Sequence, residues 1–154
     1  MKKVLHIILI TIFSITVISC SSDDSKTTTT PSGLFIATGN SATILTSTDG
    51  TTWTSRTSGI SETNAIWETS YGNSTFVLVG DNGTILTSAD GTSWTSRTSG
   101  TTDDLWGITY GNSTFVVVGD NGSSSGTILT SSDGTSWTSR TSGINNYLWG
   151  VVYG

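Results

Sequence analysis

Apolar and polar residues alternate along this chain in runs that are too short for helices. Between positions 105 and 143 four such runs follow one another, LWGITY, TFVVVG, TILTS and SWTSRTS. Each run is rich in β-branched and aromatic residues, which is typical of strands, and none has the 3.6-residue period of an amphipathic helix. The pattern therefore predicts four short strands, which we name A, B, C and D in chain order.

The segments between these runs have the composition of tight turns. Gly-Asn-Ser at 111–113 separates A from B, Asp-Asn-Gly at 120–122 separates B from C, and Asp-Gly at 133–134 separates C from D. Gly and Asn tolerate positive φ, and Asp and Asn side chains bond their own backbone. Connections this short predict that each strand runs antiparallel to the next.

Strict alternation assigns the faces of these strands. It places Trp106 with Ile108 and Tyr110 on one face of strand A, and Leu105 with Gly107 on the other. Strand B is apolar at consecutive positions, as expected for a strand that is covered on both faces. Strand D is polar on one side and suits the outermost, most solvated position.

The unit of four runs recurs along the chain. The segment TILTSSDGTSWTSRTSG at 127–143 is nearly identical to those at 84–100 and 43–59. The underlying period is 39 residues, with two extra residues in 60–65 and four in 123–126. Four antiparallel strands repeated at about this period form the blade of a β-propeller. The sequence thus predicts an all-β fold, a β-propeller of four-stranded antiparallel blades.

The strand inventory is BCD, ABCD, ABCD, A, which is three blades' worth of strands. It begins with a B strand at 35–39 and ends with an A strand at 148–154, which would complete the first blade. Propellers typically have about four to eight blades, and a three-blade arc leaves strand edges uncovered. Two explanations stay open: further blades follow Gly154, which the abrupt end of the repeat favours, or short chains assemble as a homo-oligomer.

The N-terminal region has the pattern of an exported lipoprotein. Residues 1–19 combine a basic start with an apolar stretch shorter than the roughly 20 residues that span a bilayer, which indicates a signal peptide. Val-Ile-Ser-Cys, which ends at Cys20, resembles a bacterial lipobox, and acylation of Cys20 would anchor the chain to a membrane. Residues 20–33 then form a polar, flexible linker, and the propeller occupies 34–154. The Ser-Ser-Asp-Asp after Cys20 is similar to an export signal of surface lipoproteins.

The motif Ser-x-Asp-Gly-x-x-Trp resembles the Asp-box, or BNR repeat, of sialidase-like propellers. It is also similar to the repeats of photosystem II stability and assembly factor-like proteins. The resemblance implies that the motif lies on the turn between the third and fourth strands of a blade, where the Asp bonds the backbone and the Trp packs between sheets. The usual box has one residue between Asp and Gly, whereas here the two are adjacent. The copies are Ser47, Asp49, Gly50, Trp53; Ser88, Asp90, Gly91, Trp94; and Ser131, Asp133, Gly134, Trp137.

Composition excludes several kinds of catalytic site. His6, the only histidine, lies in the signal peptide, and Cys20 is the only cysteine. The mature chain therefore lacks residues for His-based triads, thiol nucleophiles and ordinary zinc sites. The spacing of the Asp-Gly turns is not that of an EF-hand, so we expect neither a metal nor a cofactor.

Charge excludes other partners. Six cationic residues include Lys2 and Lys3, so four remain in the mature chain against eleven acidic ones. This balance disfavours nucleic acid and anionic headgroups as partners. Sialidase chemistry, as the resemblance implies it, needs clustered arginines. Arg56, Arg97 and Arg140 instead occupy one equivalent position in successive repeats and are not expected to converge.

The tryptophans and the variable loops are the remaining candidates for binding. All six tryptophans recur at repeat positions, so we interpret them as core residues between blades. The repeats differ mainly in their D-to-A and B-to-C connections, which share one face because strand direction alternates. Neutral drift would also explain this variation, but loops on a rigid scaffold often bind ligands. The predicted binding residues are Glu62, Asn64, Asp103, Asp104, Asn145, Asn146 and Tyr147.

These patterns predict a non-catalytic lipoprotein of the outer membrane or cell surface whose propeller binds protein or glycan. Two alternatives remain open. One is a sialidase-like glycoside hydrolase with its catalytic residues on further blades, and the other is a structural surface array with no specific ligand.

Overall fold

The computed structural model describes residues 33–122 and 125–154. The predicted signal peptide, Cys20 and almost all of the linker lie outside the described residues. The described part contains eleven strands and a single 3-10 turn, Asp81–Gly83. The strands are β1 (Phe35–Thr38), β2 (Ile44–Ser47), β3 (Thr54–Arg56), β4 (Ile66–Gly72), β5 (Thr75–Gly80), β6 (Ile85–Ser88), β7 (Thr95–Arg97), β8 (Asp104–Gly111), β9 (Thr114–Asp120), β10 (Gly126–Ser131) and β11 (Thr138–Arg140).

The strands form three antiparallel sheets in which each strand pairs with its neighbour in sequence. The first sheet has the order β1-β2-β3, the second β4-β5-β6-β7 and the third β8-β9-β10-β11. The second and third sheets approach each other at β4 and β8, the first strand of each. This arrangement confirms the predicted all-β class.

The A-to-B turns explain how successive strands reverse so tightly. Asn73 and Ser74 have φ of 46° and 57°, and Asn112 and Ser113 have φ of 46° and 58°. Two consecutive residues with positive φ form the hairpin turn whose twist matches that of the strands, and Asn adopts it readily.

Two apolar clusters hold the sheets together. In β5, Val77, Leu78 and Val79 are all fully buried. Val77 and Val79 belong to the cluster with the third sheet, while Leu78 belongs to the cluster with Ile44 and Ile66. The B strand of the second sheet, β5, is therefore covered on both faces, as predicted for strand B.

The outer strands are shorter than the sequence predicts. The polar run at 136–142 contributes only Thr138–Arg140 to the third sheet, and the other two D strands also have three residues. Trp137 consequently precedes its strand and belongs to the turn.

A β-bulge corrects the predicted faces of strand A. Leu105 is opposite Gly119, but Gly107 is opposite Val118, so Trp106 is an extra residue without a partner. The extra residue reverses the alternation, and Leu105 therefore lies on the same face as Ile108 rather than on the opposite one. The same irregularity places Trp67 outside the alternation of β4.

The predicted terminal A strand, 148–154, is not a strand in the structure. Among the described residues it has no hydrogen-bonded partner strand, and β1 pairs only with β2. A strand requires a neighbouring ladder, and β1 lies against β4 on the far side of the second sheet.

The segment 148–154 nevertheless docks on the third sheet in the way one sheet docks on the next. The Leu148 N–H donates to the carbonyl of Gly119 at 3.3 Å, as Ile66 N–H does to that of Gly39 at 3.0 Å. The ring of Tyr153 covers Gly111, just as the ring of Tyr110 covers Gly72.

Candidate functional site

The structure brings the D-to-A and B-to-C connections together on one side of the sheets, which we call the loop face (60–65, 80–84, 101–104, 120–122, 125–126 and 144–147). Hydrogen bonds join the two kinds of connection directly. The Gly83 N–H donates to the carbonyl of Asp103 at 2.7 Å, and the Asn82 N–H donates to Asp104 Oδ1 at 2.9 Å. Thr127 Oγ1 also donates to Asp103 Oδ2. The loop face is therefore a connected surface rather than a set of separate loops.

The predicted binding residues fall into two groups on this face. Asn64 is half-buried and its Nδ2 donates to Thr84 Oγ1 at 3.1 Å, while Asp103 and Asp104 accept the bonds just described. These three side chains therefore hold the loops in place. The other four, Glu62, Asn145, Asn146 and Tyr147, are exposed and available to a partner.

Three tryptophans of the A positions correct the prediction that repeated aromatics form the core. Trp67 is 51% exposed and Trp149 is 70% exposed, while Trp106 is half-buried. Together with Asp104 they line a groove of about 510 Å³, which we call the tryptophan groove. For Trp67 and Trp106 the bulge explains their position outside the core, because it removes them from the ladder and from the alternation that directs side chains into the core.

Specific contacts orient the indoles of the tryptophan groove. The rings of Trp106 and Trp149 stack with centroids 4.1 Å apart and an interplanar angle of 10°. Tyr147 meets Trp106 edge-on at 5.9 Å, so a predicted loop residue borders the groove. The indole N–H of Trp67 donates to Asp81 Oδ1 at 2.6 Å. Contacts within the protein thus fix the orientations of the three indoles that line the groove.

Glycines beside two of these tryptophans are the sequence signal that could have revealed the groove. A glycine inside a strand often marks a bulge or a close backbone approach. Gly107 follows Trp106, and a Cβ built there would lie 2.9 Å from the Cα of Gly150. The glycine therefore lets the next segment, with Trp149, lie directly on β8.

The Asp-Gly turns, which join C to D, lie at the opposite ends of the strands. In the second sheet Asp90 Oδ1 accepts hydrogen bonds from the backbone N–H groups of Thr92 at 2.8 Å and Ser93 at 3.1 Å. Ser88 Oγ accepts from the Gly91 N–H at 2.8 Å and donates to Asp90 at 3.0 Å. The other two copies repeat these bonds around Asp49 and Asp133.

These hydrogen bonds stabilise the ionised form of the carboxylates. They hold the pKa of Asp49, Asp90 and Asp133 far below the usual range of an aspartic acid, and the main cause is the hydrogen bonds from the residues two and three positions after each Asp. Oδ1 of each carboxylate accepts these bonds from within its own turn, so a structural role accounts for the Asp.

The turn tryptophans differ in their burial. Trp94 and Trp137 pack against the two apolar clusters. Trp137 Nε1 donates to the carbonyl of Gly134 at 3.1 Å, whereas the buried Trp94 Nε1 has no partner among the described residues. Trp53 is 41% exposed, so the interpretation as core is wrong for this copy. It belongs to the first sheet, which has only one neighbouring sheet in the described part.

The described residues offer little for catalysis by a metal or by an arginine cluster. No group of three or more His, Cys, Asp or Glu side chains in the described part could hold a metal ion. Arg56, Arg97 and Arg140 stay on β3, β7 and β11, where each Nε donates to a threonine Oγ1 of the adjacent strand at 2.8, 2.8 and 2.9 Å. Within 33–122 and 125–154, no helix has the length and apolar character needed to cross a membrane.

Comparison with known proteins decides the architecture. The chain superposes on the solved structure of YCF48 bound to D1 peptide with a TM-score of 0.61 and 20% sequence identity. The fold is a partial β-propeller. The match covers 75% of this chain and 40% of that one, so this chain spans less than half of the propeller it resembles. No protein-family model matches the sequence, and no curated protein is significantly similar to it.

Proposed function

We propose that this chain is a binding module of the cell surface, a non-catalytic propeller scaffold that binds a protein segment on its loop face. The observation that carries the proposal is the connected loop face, in which a fixed hydrogen-bonded frame presents exposed side chains that vary between repeats. Loops on a rigid scaffold are the usual place for recognition residues. The neighbour YCF48, which was solved with a peptide, supports protein as the partner class.

Membrane attachment is part of the proposal. Cys20 follows an apolar stretch and precedes a polar linker, which is the order that lipid modification requires. A Cys20→Ala chain should leave the membrane fraction and enter the soluble fraction, and protease added to intact cells should cut the wild-type chain. A wild-type chain that is soluble, or one protected from protease until the cells are lysed, would contradict the surface location.

We also propose that the Asp-Gly turns are relatives of the Asp-box. The carboxylate that bonds the backbone and the packed Trp94 and Trp137 support this assignment. Their role is then structural: the Asp-Gly turns are a mark of the fold and do not select the ligand. Replacement of Asp90 by Ala should lower stability without changing which partner is bound.

The second candidate, a glycoside hydrolase, has less support. The arginines bond neighbouring strands instead of converging. The only glutamates, Glu62 and Glu68, have different surroundings. Glu62 is exposed, while Glu68 Oε2 accepts a hydrogen bond from the Ile108 N–H at 2.8 Å. Hydrolysis of a sialoside or of an aryl glycoside by the purified chain would favour the enzyme and would contradict a purely binding role.

Site-directed photo-crosslinking on intact cells tests the binding proposal. A photoreactive residue at Asn145 or Glu62, both exposed on the loop face, should give a discrete cross-linked protein. The same residue at Ser113 or Ser93, which are exposed on the opposite face, is the matched control and should give none. Equal cross-linking from both faces, or none from either, would contradict recognition by the loop face.

A further inference from the structure

The tryptophan groove brings together the exposed Trp67 and Trp149 and the half-buried Trp106, none of which belongs to the two apolar clusters. Burial of an indole normally contributes strongly to stability, so a groove lined by two exposed indoles and a half-buried one points to a binding site. The edge-on contact of Tyr147 with Trp106 and Trp149 connects the groove to the variable loops. The groove is therefore continuous with the loop face.

Two carboxylates contact the groove or its indoles. Asp104 lines it directly, and Asp81 bonds the indole N–H of Trp67. Asp120 lies opposite Asp104 in the β8–β9 ladder and is 8% exposed. One oxygen of Asp104 holds the Asn82 N–H, and its other oxygen has no donor among the described residues. The groove thus combines π faces with negative charge.

The positive charges of the described part are far from the groove. All three arginines occupy the outer strands, whereas Trp67 and Trp106 belong to β4 and β8, at the opposite edge of each four-stranded sheet. Three strand spacings amount to about 14 Å, which exceeds the Debye length of roughly 8 Å at physiological ionic strength. The arginines therefore do not neutralise the groove.

We propose that the tryptophan groove binds an arginine or lysine side chain of a protein partner. A cation over an indole face is the strongest form of cation–π contact, and the carboxylate of Asp104 supplies the counter-charge at the rim. The inference rests on the proposed function and names the chemistry of its partner, a basic protein segment. The remaining excess of acidic residues in the chain attracts such a segment from a distance.

The test is calorimetric titration of the full chain, kept in detergent, with a synthetic peptide of alternating glycine and arginine. The matched probe replaces arginine by citrulline, which has the same shape without the charge. We expect the arginine peptide to bind, the citrulline peptide to bind at least tenfold more weakly, and affinity to fall as salt rises. Equal binding of the two peptides would overturn the proposal.

Four variants locate the site. Trp106→Leu keeps apolar volume but removes the π face, and should weaken binding about five- to thirty-fold, while Trp106→Phe should weaken it less. Asp104→Asn keeps the acceptor for Asn82 and removes the charge, so affinity should fall about two- to five-fold at low salt. Asp24→Asn removes one charge from the predicted linker, outside the loop face, and should change affinity by less than about two-fold. Circular dichroism checks that each variant is folded.

Other outcomes separate this inference from the proposed function. If Trp106→Leu binds the arginine peptide like the wild type, the groove is not the site. If a photoreactive residue at Asn145 or Glu62 then still gives a discrete cross-linked protein, the binding module survives without the groove. Binding of a neutral oligosaccharide such as cellohexaose that Trp106→Leu abolishes would overturn the cationic ligand and make the groove a sugar platform.

Discussion

Substitution of Gly72 by Ala should destabilise the fold strongly, because this glycine accepts the ring of Tyr110 from the next sheet. Of the three ring atoms nearest to a Cβ built at Gly72, the most distant, Cδ2, would be 2.5 Å away. Carbon atoms in contact lie about 3.5–4.0 Å apart, so the ring would have to withdraw by at least about 1 Å. The ring cannot retreat easily, because it packs on Phe115 with centroids 4.5 Å apart.

Overpacking of this kind costs typically about 1–3 kcal/mol, and the size of the clash places Gly72→Ala near the upper end. For a domain of this size that corresponds to a decrease in melting temperature of roughly 10 °C, measured by thermal circular dichroism. Gly39→Ala is the matched control, because a Cβ there would meet nothing within 4 Å, and it should change stability by less than about 0.5 kcal/mol.

A double-mutant cycle identifies the contact responsible. In a Tyr110→Ala background the same Gly72→Ala change should cost at least about 1 kcal/mol less than in the wild type, because the clashing ring is gone. If Gly72→Ala costs the same in both backgrounds, or costs no more than Gly39→Ala, then ring-on-glycine packing does not set the spacing of the sheets.

The other predictions concern the terminal segment, the bulge and acid stability. In Gly111→Ala the new Cβ meets the ring of Tyr153, which belongs to a segment without a partner strand and can move away. The loss of stability should therefore stay below about 1 kcal/mol. Tryptophan fluorescence should change as the segment undocks. Glu68→Ala should cost about 1–3 kcal/mol in urea unfolding, because it leaves the Ile108 N–H without its acceptor, and Glu68→Gln should cost less. The lowered pKa of the three Asp-Gly turn carboxylates means that their contribution is complete above the unfolded value near 4 and is lost as pH falls further. Stability measured between pH 5 and 2 should therefore fall less steeply when Asp90 is replaced by Asn, and an unchanged slope would contradict this origin.

The sequence was sufficient to predict eleven of the twelve strands, the turns between them and the antiparallel pairing of consecutive strands, because each depends on local chemistry. Consecutive buried residues in β5 follow from its unbroken apolar run, and the hairpin at Asn73–Ser74 follows from turn preferences. The meeting of the variable connections on one face follows from antiparallel alternation alone. None of these features requires knowledge of how one sheet packs on another.

The tryptophan groove could not be predicted by the same reasoning. A strict period of two does not allow for an inserted residue. The prediction therefore missed the bulge at Trp106 and assigned Leu105 to the wrong face. Burial also depends on which sheets are neighbours, which is why equivalent turn tryptophans differ and Trp53 is exposed while Trp94 is not. The bulge and the unequal burial of the turn tryptophans both depend on how the sheets pack. Gly107 was the only local sign of the bulge at Trp106.

The docked segment 148–154 shows that stacking on a preceding sheet and pairing within a sheet are separable events in this architecture. The hydrogen bond to Gly119 and the ring over Gly111 form although 148–154 pairs with no described strand. Each completed sheet then acts as the template for the next, and folding can propagate along the array by nearest-neighbour cooperativity. Unfolding is expected to proceed from the ends inward, with the segment at 148–154 exchanging its amide protons before the β4–β8 junction does.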